Sequence, residues 1–391
     1  MTDTDLMRDD ARPRRFATIP PVSVRGAFYL ACSWTWVLGM FFPVLMIKDF
    51  GWPGYLLFAV PNCIGAMSVG FMLPSPAAAT EHLRRHAFAI SAFTVITVAF
   101  HAYFLAVLPR LVLGEQDATR IGGLAFSLFV CAVAIGSRPA MRAMFRLAPV
   151  VFIASWACLL GAEAMTPDET LTLPGARGIE PPLALLYLVV PTIFGFALCP
   201  YLDVSFIRQR ALDATKGGRT FALGFLIVFP LLILGTLLYA NAFIDRRGLH
   251  WLILGHFGVQ AFFTIAAHAG EAHRSVGPGS RWLLPTCALA AAAGAMVPMS
   301  AYRLLYETFM SSYGLLFPAY VLIFAIPMFA RMPVDRRWRA LVVALVIAAP
   351  MFAAGYLGGR WFWLAPGMAA VLLTPLIFKA FPRAATPPAT G

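Results

Sequence analysis

The feature that most constrains this chain is a series of apolar blocks, each about 20 residues long, that recurs between residues 27 and 381. A helix needs about 20 residues to cross roughly 30 Å of hydrocarbon. The chain is 60% hydrophobic and only 12% charged, whereas a soluble globule needs a largely polar surface. A membrane β-barrel would show short segments of alternating polarity instead. The blocks therefore predict an all-α polytopic membrane protein.

Turn-forming residues divide the blocks into about 12 transmembrane helices. Motifs such as Gly51-Trp52-Pro53 and Gly277-Pro278-Gly279 mark short loops. The predicted spans, numbered 1 to 12, are 27–47, 53–73, 87–109, 121–136, 144–165, 182–201, 220–240, 250–269, 281–299, 308–330, 339–357 and 362–381. The connections are too short for a soluble domain. We therefore predict a single transmembrane domain over 25–383, with cytoplasmic tails over 1–24 and 384–391.

The basic residues predict which side of the membrane each loop faces. With these spans and a cytoplasmic N-terminus, the 30 lysines and arginines divide into 22 on the inner side and 8 on the outer side. Cytoplasmic loops of membrane proteins are enriched in such residues. We therefore predict a multi-pass protein of the cell (inner) membrane with both termini in the cytoplasm. This distribution explains the net charge of +12 without a nucleic-acid partner, and the basic loops would contact anionic membrane lipids.

Two spans, one in each half of the chain, carry a glycine followed closely by a proline. Span 1 has Gly39 and Pro43, and span 6 has Gly195 and Pro200. A five-span unit contains an odd number of crossings, so two consecutive units face the membrane in opposite senses. Paired broken helices at matching positions indicate the inverted repeat of many secondary transporters. We expect one repeat over 25–165, a second over 182–330, and two extra C-terminal helices over 339–381.

Longer segments around these sites resemble a known superfamily. The segments are VLGMFFPVLMIKDFGWPGYLLFAVPNCIGA, SRPAMRAMFRLAPVVF, FGFALCPYLDVSFIRQRALDATKGGRTFALGFLIVFPLLILG and FMSSYGLLFPAYVLIF. They are similar to members of the amino acid–polyamine–organocation superfamily and to the sodium:solute symporters. The resemblance implies a LeuT-type five-plus-five inverted repeat and transport of a small solute together with an ion. The superfamily's Gly-Ser-Gly break appears only as Leu38-Gly39-Met40, so its substrate-carboxylate cradle is not implied.

Breaks in membrane helices free backbone polar groups that a protein-lined cavity can satisfy and lipid cannot. We therefore predict that a small organic solute binds between spans 1 and 6. Its candidate binding residues are Trp34, Gly39 and Phe42 on span 1 and Phe194, Gly195, Phe196 and Tyr201 on span 6.

Span 8 carries polar residues at every fourth position, which places them along one face of the helix. The series is His256, Gln260, Thr264 and His268. Ionisable groups inside a membrane usually face the bundle interior or a water-filled path, and the resemblance implies that span 8 borders the coupling-ion site. We predict ion-coupling roles for these four residues and for His101 in span 3, with H+ or Na+ as the ion. The alternative is that they only join neighbouring helices.

Asp203 and Arg208 lie near the predicted inner end of span 6. We predict that they form a gate at the inner mouth. The alternative is that Asp203 is a solvated residue at the membrane edge.

The sequence contains no catalytic motif for a hydrolase or a pump, and it predicts no metal site and no cofactor. The predicted function is secondary active transport by alternating access. Two alternatives stay open at this point. One is an integral-membrane transferase acting on a lipid or acyl substrate, with a lipid-open cleft and a histidine near a carboxylate. The other is a membrane assembly or sensor protein that does not transport.

Overall fold

The computed structural model describes residues 24–113, 115–136, 141–166, 178–213, 218–244, 249–275 and 280–381. Every regular element in these ranges is helical. They contain nine helices that are long and apolar enough to cross a membrane, and two shorter apolar helices, Gly122–Gly136 and Trp282–Met296. The helix Val37–Met72 holds both the end of span 1 and all of span 2. The all-α polytopic membrane architecture is therefore confirmed, and a helix lies at each of the twelve predicted positions. The predicted tails lie outside the described residues, apart from Val24.

The helix bounds follow the predicted spans in order. The α-helices are Val24–Trp34 (first half of span 1), Met40–Met72 (second half of span 1, and span 2), Pro76–Arg85 (between spans 2 and 3), Ala87–Leu113 (span 3), Glu115–Gly136 (span 4), Met141–Met165 (span 5), Pro182–Leu198 and Val204–Leu212 (span 6), Arg219–Leu223, Phe229–Gly235 and Leu237–Ile244 (span 7), Trp251–Ser275 (span 8), Ser280–Met296 (span 9), Tyr302–Ser311 and Phe317–Phe324 (span 10), Val334–Phe352 (span 11) and Leu364–Ala380 (span 12). Gly51, with φ 65° and ψ −156°, makes the bend between spans 1 and 2.

Span 10 begins at Tyr302 and not at the predicted position 308. The predicted boundary leaves the charged residues Arg303 and Glu307 outside the span. In the structure these two side chains form an ion pair at i and i+4, with 2.6 Å between Arg303 Nε and Glu307 Oε1. Because the pair neutralises itself within the helix, the first turn of the span can be charged and still lie against the bundle.

Span 1 loses its α-helical form midway. Val24–Trp34 leads into a wide π turn over Thr35–Gly39, and the α-helix resumes at Met40. Within the turn, Val37 has a φ of 66°, which is a strained conformation for a β-branched residue. Its carbonyl accepts a hydrogen bond from the backbone N–H of Met40. The interruption is therefore confirmed, but it precedes the proline that helped to predict it.

Span 6 is interrupted in a corresponding place. Pro182–Leu198 passes into a 3₁₀ turn over Cys199–Leu202, and Asp203 then adopts an extended conformation with ψ 112°. Asp203 begins the second half of the span as its N-cap, with Oδ1 accepting hydrogen bonds from the backbone N–H groups of Ser205 and Phe206. A carboxylate in this position satisfies amides that have no partner within the helix.

The two halves of the chain repeat the same set of helix contacts. Span 2 packs on span 6 as span 7 packs on span 1, and span 3 packs on span 9 as span 8 packs on span 4. Glycines make matching close approaches in the first of these pairs. Gly65 of span 2 lies against the Phe196 carbonyl of span 6, and Gly224 of span 7 lies against the Ala27 carbonyl of span 1. This correspondence is that of a LeuT-like inverted repeat of spans 1 to 5 and 6 to 10, with spans 11 and 12 packed on each other beside it.

Candidate functional site

The two interruptions meet at the centre of the bundle. The hydroxyl oxygens of Ser33, in the last turn before the span 1 break, and Ser205, in the first turn after the span 6 break, are 3.3 Å apart. The rings of Trp34 and Phe206 pack with their centroids 5.1 Å apart. The predicted facing of the two broken helices is therefore confirmed, and the surrounding features constitute the candidate site.

A partly open cavity with about 690 Å³ of empty space, including solvent at its mouth, extends from these breaks between spans 1, 6 and 10. Spans 11 and 12 close part of its wall through Phe352, Tyr356 and Leu364. The remaining lining residues are Trp34, Leu38, Phe42, Met46, Leu188, Pro191, Thr192, Gly195, Phe196, Cys199, Met310, Ser311, Tyr313 and Gly314. On span 1 the lining positions are spaced four residues apart, as expected for one helical face.

Four of the seven predicted solute-binding residues line this cavity, and three do not. The lining residues are Trp34, Phe42, Gly195 and Phe196.

The other three predicted solute-binding residues lie elsewhere. Gly39 faces span 7, where an added Cβ would lie 3.1 Å from the Phe229 ring. Phe194 packs against the hydrophobic core. Tyr201 contacts Ser68 through its hydroxyl, at 3.2 Å, and His82 through its carbonyl, at 2.8 Å. Burial lowers the pKa of His82, which lies in the helix between spans 2 and 3.

The cavity wall contains no charged side chain among the described residues that line it. Its polar groups are hydroxyls, one thiol and one indole, and several are already engaged. Trp34 Nε1 donates to Asn62 Oδ1 at 2.7 Å, and Cys199 Sγ donates to the Tyr313 carbonyl at 2.9 Å. The amides at the start of the second half of span 6 are capped by Asp203. The wall therefore suits an uncharged and largely apolar molecule.

The polar series on span 8 divides into two pairs with different partners. The first pair contacts span 5, because Ser155 Oγ lies 2.5 Å from His256 Nδ1 and accepts a hydrogen bond from Gln260 Nε2 at 3.0 Å. All three residues are fully buried, and none of them lines the cavity. These contacts correspond to the alternative reading, in which polar residues join neighbouring helices.

Replacing Ser155 with alanine is expected to lower the free energy of unfolding by about 1–3 kcal/mol, because it leaves two buried polar side chains without their shared partner. Unfolding in detergent with increasing denaturant would measure the loss. Ser127→Ala is the matched control, since that exposed hydroxyl bonds only the Gly123 carbonyl of its own helix, and we expect a change within about 0.5 kcal/mol. Equal effects of the two substitutions would contradict the assignment of Ser155 as the link between spans 5 and 8.

The second pair on span 8 contacts the end of the first half of span 1. Thr264 Oγ1 donates to the Cys32 carbonyl at 2.8 Å, and His268 Nε2 lies 3.1 Å from the Ser33 carbonyl. These carbonyls lie just before the break, where a helix leaves its last acceptors without intrahelical partners. Span 8 therefore supplies the hydrogen-bond donors that stabilise the interruption in span 1.

His101 lies on span 3 beside this second pair. Its Nδ1 contacts the Thr97 carbonyl of its own helix, and its ring centroid is 6.1 Å from that of His268. Thr97 Oγ1 and the hydroxyl of Tyr313, a cavity residue, are 2.9 Å apart. Of the five predicted ion-coupling residues, Thr264, His268 and His101 therefore lie together at the breaks, whereas His256 and Gln260 do not.

The predicted pairing of Asp203 with an arginine is wrong, and so is its alternative placement in solvent at the membrane edge. Asp203 is fully buried, and its Oδ2 lies 3.8 Å from His268 Nε2. Arg208 instead forms an ion pair with Glu271, a buried residue one turn beyond His268 on span 8. The sequence did not indicate that Asp203 lies beside His268 and that Arg208 pairs with Glu271. The sequence pattern placed Asp203 at the end of span 6 and not at its break.

Sequence reasoning missed an ion cluster on the predicted outer side of the protein. Both carboxylate oxygens of Asp49, at the end of span 1, contact the two terminal nitrogens of Arg303 on span 10. Arg303 Nε also binds Glu307. Asp49 is 3% exposed and Glu307 is 8% exposed. The i, i+4 spacing of Arg303 and Glu307 was a readable signal, but a partner 254 residues away was not.

Comparisons with known proteins bear on the fold. No protein-family model matches the chain, and no curated protein matches it. Among solved structures, the inward-facing conformation of Mhp1 is similar, with a TM-score of 0.52 and 13% sequence identity, over 93% of this chain and 91% of that one. Over nearly its whole length, the chain therefore shares a helical fold with Mhp1, and this fold is the LeuT-type arrangement that the broken helices and the paired contacts describe.

Proposed function

We propose that this protein is a secondary active transporter, which moves a small organic solute across the cell membrane by alternating access, coupled to H+ or Na+. The observation that carries the proposal is the cavity that begins where two broken helices, one from each repeat, meet. Solute and ion sites of such transporters lie at breaks of this kind. The resemblance of the sequence to solute symporters and the fold shared with Mhp1 support it.

The lining of the cavity favours an uncharged solute with a flat, apolar part. Trp34, Phe42, Phe196 and Tyr313 present aromatic rings, and rings stack on flat apolar molecules at little cost in conformational freedom. Burying an unpaired charge against such a wall is costly. A carboxylate would also find the N-terminus of the second half of span 6 already capped by Asp203.

Polar contacts on the two sides of the membrane could alternate during transport. On the outer side, Arg303 and Asp49 hold span 10 to span 1. On the inner side, Arg208 and Glu271 hold span 6 to span 8. A transporter that rocks one helix group against the other breaks the contacts on one side of the membrane when that side opens. We propose that the outer cluster closes the cavity on its side in this conformation.

The transferase alternative requires a histidine near a carboxylate that a substrate can reach. A histidine does lie near a carboxylate, in the pair His268 and Asp203. Both are at most 1% exposed, however, and neither lines the cavity, so a substrate held there would not reach them. The geometry therefore favours transport over transfer chemistry.

A solute screen tests the proposal directly. The purified protein would be melted in the presence of uncharged aromatic and heteroaromatic compounds, amino acids, organic acids and amines, at two pH values and with or without sodium. We expect stabilisation by members of the uncharged aromatic class, followed by uptake of the same compound into proteoliposomes. Stabilisation only by organic acids would contradict the assigned solute class, and binding without uptake would favour a sensor.

Filling the cavity is expected to abolish solute binding and leave the fold intact. Gly314 lines the cavity, and a Cβ added there meets no atom within 4 Å. We therefore expect Gly314→Phe to remove the thermal shift produced by the solute and to leave the melting temperature without solute nearly unchanged. Gly123→Phe is the matched control, because Gly123 is an exposed helical glycine with equally open surroundings and does not line the cavity. Solute binding that survives in Gly314→Phe would place the solute elsewhere.

A further inference from the structure

We propose that the ion of this transporter is a proton, held by Asp203 and His268 where the two broken spans meet span 8. This inference rests on the transport function proposed above and decides between the two ions left open there. Both side chains are at most 1% exposed. Asp203 Oδ2 and His268 Nε2 are 3.8 Å apart, a distance at which opposite charges attract strongly inside a protein.

The hydrogen bonds of the two histidines at the breaks fix which ring nitrogen can accept a proton. The Ser33 carbonyl can only accept, so His268 Nε2 carries the hydrogen and Nδ1 holds the lone pair. For the same reason the Thr97 carbonyl fixes the hydrogen on His101 Nδ1 and leaves the lone pair on Nε2. Among the described residues, no group donates to either lone pair or to Asp203 Oδ2. The cluster therefore contains three buried atoms that can accept a proton.

Sodium fits the same place poorly. Hard cations bind several oxygen ligands at once. The two span 1 carbonyls that face span 8, those of Cys32 and Ser33, already accept hydrogen bonds from Thr264 and His268. A cation between these spans would have to displace an O–H and an N–H donor whose positive ends point at its position.

Among the described residues named below, the other groups that face Asp203 and His268 offer no net charge to balance the Asp203 carboxylate. Cys199 of span 6 and Tyr313 of span 10 lie within electrostatic range of Asp203, and neither is charged near neutral pH in its ordinary state. Ser33 and Ser205 contribute hydroxyls, and His101 approaches from span 3. Arg208 and Glu271, the latter one turn beyond His268 on span 8, form an ion pair whose two charges offset each other. A proton that binds His268 Nδ1 therefore gives an imidazolium balanced by Asp203. Its release leaves a buried carboxylate without a cation, which is unfavourable.

A chain of contacts connects this proton site to the solute cavity. Tyr313 lines the cavity, its hydroxyl contacts Thr97 Oγ1, and the Thr97 carbonyl holds His101. Trp34, which also lines the cavity, directly follows Ser33, the acceptor for His268. A solute that shifts the end of the first half of span 1 would therefore change the hydrogen bond of the proton-binding histidine.

Infrared difference spectroscopy on the full-length protein in lipid tests the proton site without any solute. The pH would be stepped between about 5 and 8, the range in which histidine ordinarily titrates, first in sodium chloride and then in choline chloride. Beside the bands of the other histidines and carboxylates, we expect at least one carboxyl or imidazole band that changes with pH, is the same in both salts, and is lost in both Asp203→Asn and His268→Gln. Asparagine is a good N-cap and glutamine can still donate to the Ser33 carbonyl, so both variants should fold. His250→Gln, in the loop before span 8, should leave this band unchanged.

The proton site is overturned if the two variants remove no pH-dependent band of the parent protein, or if the band that they remove needs sodium. Transport of the solute found in the screen separates this outcome from failure of the proposed function. We expect a pH gradient to drive accumulation in choline chloride, and Asp203→Asn and His268→Gln to lose this accumulation while they still bind the solute. Uptake that requires sodium and does not depend on pH would refute the proton as the coupling ion but would support the transport function. Intact titration without uptake of any solute would refute the transporter.

Discussion

Replacing Arg303 with alanine is expected to lower the free energy of unfolding by about 3 kcal/mol. The substitution leaves the carboxylates of Asp49 and Glu307 buried side by side without their shared cation. Breaking a buried ion pair by removing one partner costs about 3–5 kcal/mol. We take the lower end, because the Arg303 side chain is 36% exposed and water screens part of the interaction. Denaturant unfolding in detergent would measure the loss.

The exposed pair of Arg339 with Asp335 is the matched control. Like the pair of Arg303 with Asp49, it joins an arginine and an aspartate. The two residues lie at i and i+4 within span 11, and their side chains are 50% and 69% exposed. Arg339→Ala is therefore expected to cost less than about 1 kcal/mol. Arg303→Lys should fall between the two, since an ammonium cannot contact both oxygens of Asp49 as the planar guanidinium does. If Arg303→Ala and Arg339→Ala cost the same, the outer cluster does not hold spans 1 and 10 together.

The same substitution tests the proposed gate in the outer cluster, by a different measurement. A cysteine reagent that enters from the outer side should label a single cysteine placed at Leu38, in the cavity wall, faster in Arg303→Ala than in the parent protein. Labelling rates that do not change would show that the cluster stabilises the fold without closing the cavity.

Span number and helix type were predictable because each follows from composition over about 20 residues. The broken helices were predictable in kind, since glycine and proline mark sites where a membrane helix can be interrupted. Their positions were less so. Span 1 breaks around Val37, a β-branched residue with positive φ. The surrounding contacts, such as the hydrogen bond from Tyr306 Oη to the Val37 carbonyl, hold this conformation, and a local pattern does not reveal them.

The polar series on span 8 shows what the sequence alone could not predict. Spacing alone placed four polar side chains on one face, and all four are buried. Their separation into a span 5 link and a span 1 link depends on partners 105 and 235 residues away, at Ser155 and Ser33. Asp203 illustrates the same limit. Its position after a proline suggested the end of a helix, whereas the three-dimensional structure makes it the cap of a second, buried half-helix.

Several glycines in this fold lie against the backbone of a neighbouring helix, and these contacts occur at corresponding places in the two repeats. Gly136 of span 4 lies against the Ala266 carbonyl of span 8, and Gly294 of span 9 lies against the Tyr103 carbonyl of span 3. Small residues at helix interfaces let membrane helices pack closely, because dispersion and not the hydrophobic effect drives their association. The contact of Gly65 with the Phe196 carbonyl is of the same kind and borders the cavity.

Replacing Gly65 with leucine is expected to abolish folded protein or to destabilise it by more than about 3 kcal/mol, the upper end of ordinary overpacking. An added Cβ would overlap the Phe196 carbonyl, which is backbone and cannot rotate away. Spans 2 and 6 would have to separate, and Phe196 would move out of the cavity wall. Yield of monodisperse protein after gel filtration, followed by unfolding of whatever is recovered, would measure the effect.

Two further glycines serve as comparisons, because an added Cβ at each would lie farther from the neighbouring atoms than at Gly65. At Gly224 an added Cβ would lie 3.1 Å from the Ala27 carbonyl, so a shift of a few tenths of an ångström relieves it, and Gly224→Ala should be clearly milder than Gly65→Ala. At the exposed Gly123 nothing lies within 4 Å, so Gly123→Leu should fold normally, because leucine is also the better helix former. The expected order of destabilisation is therefore Gly65, Gly224, Gly123. A Gly65→Leu protein as stable as Gly123→Leu would mean that spans 2 and 6 are not in backbone contact, and the cavity wall that Phe196 forms would then be misplaced as well.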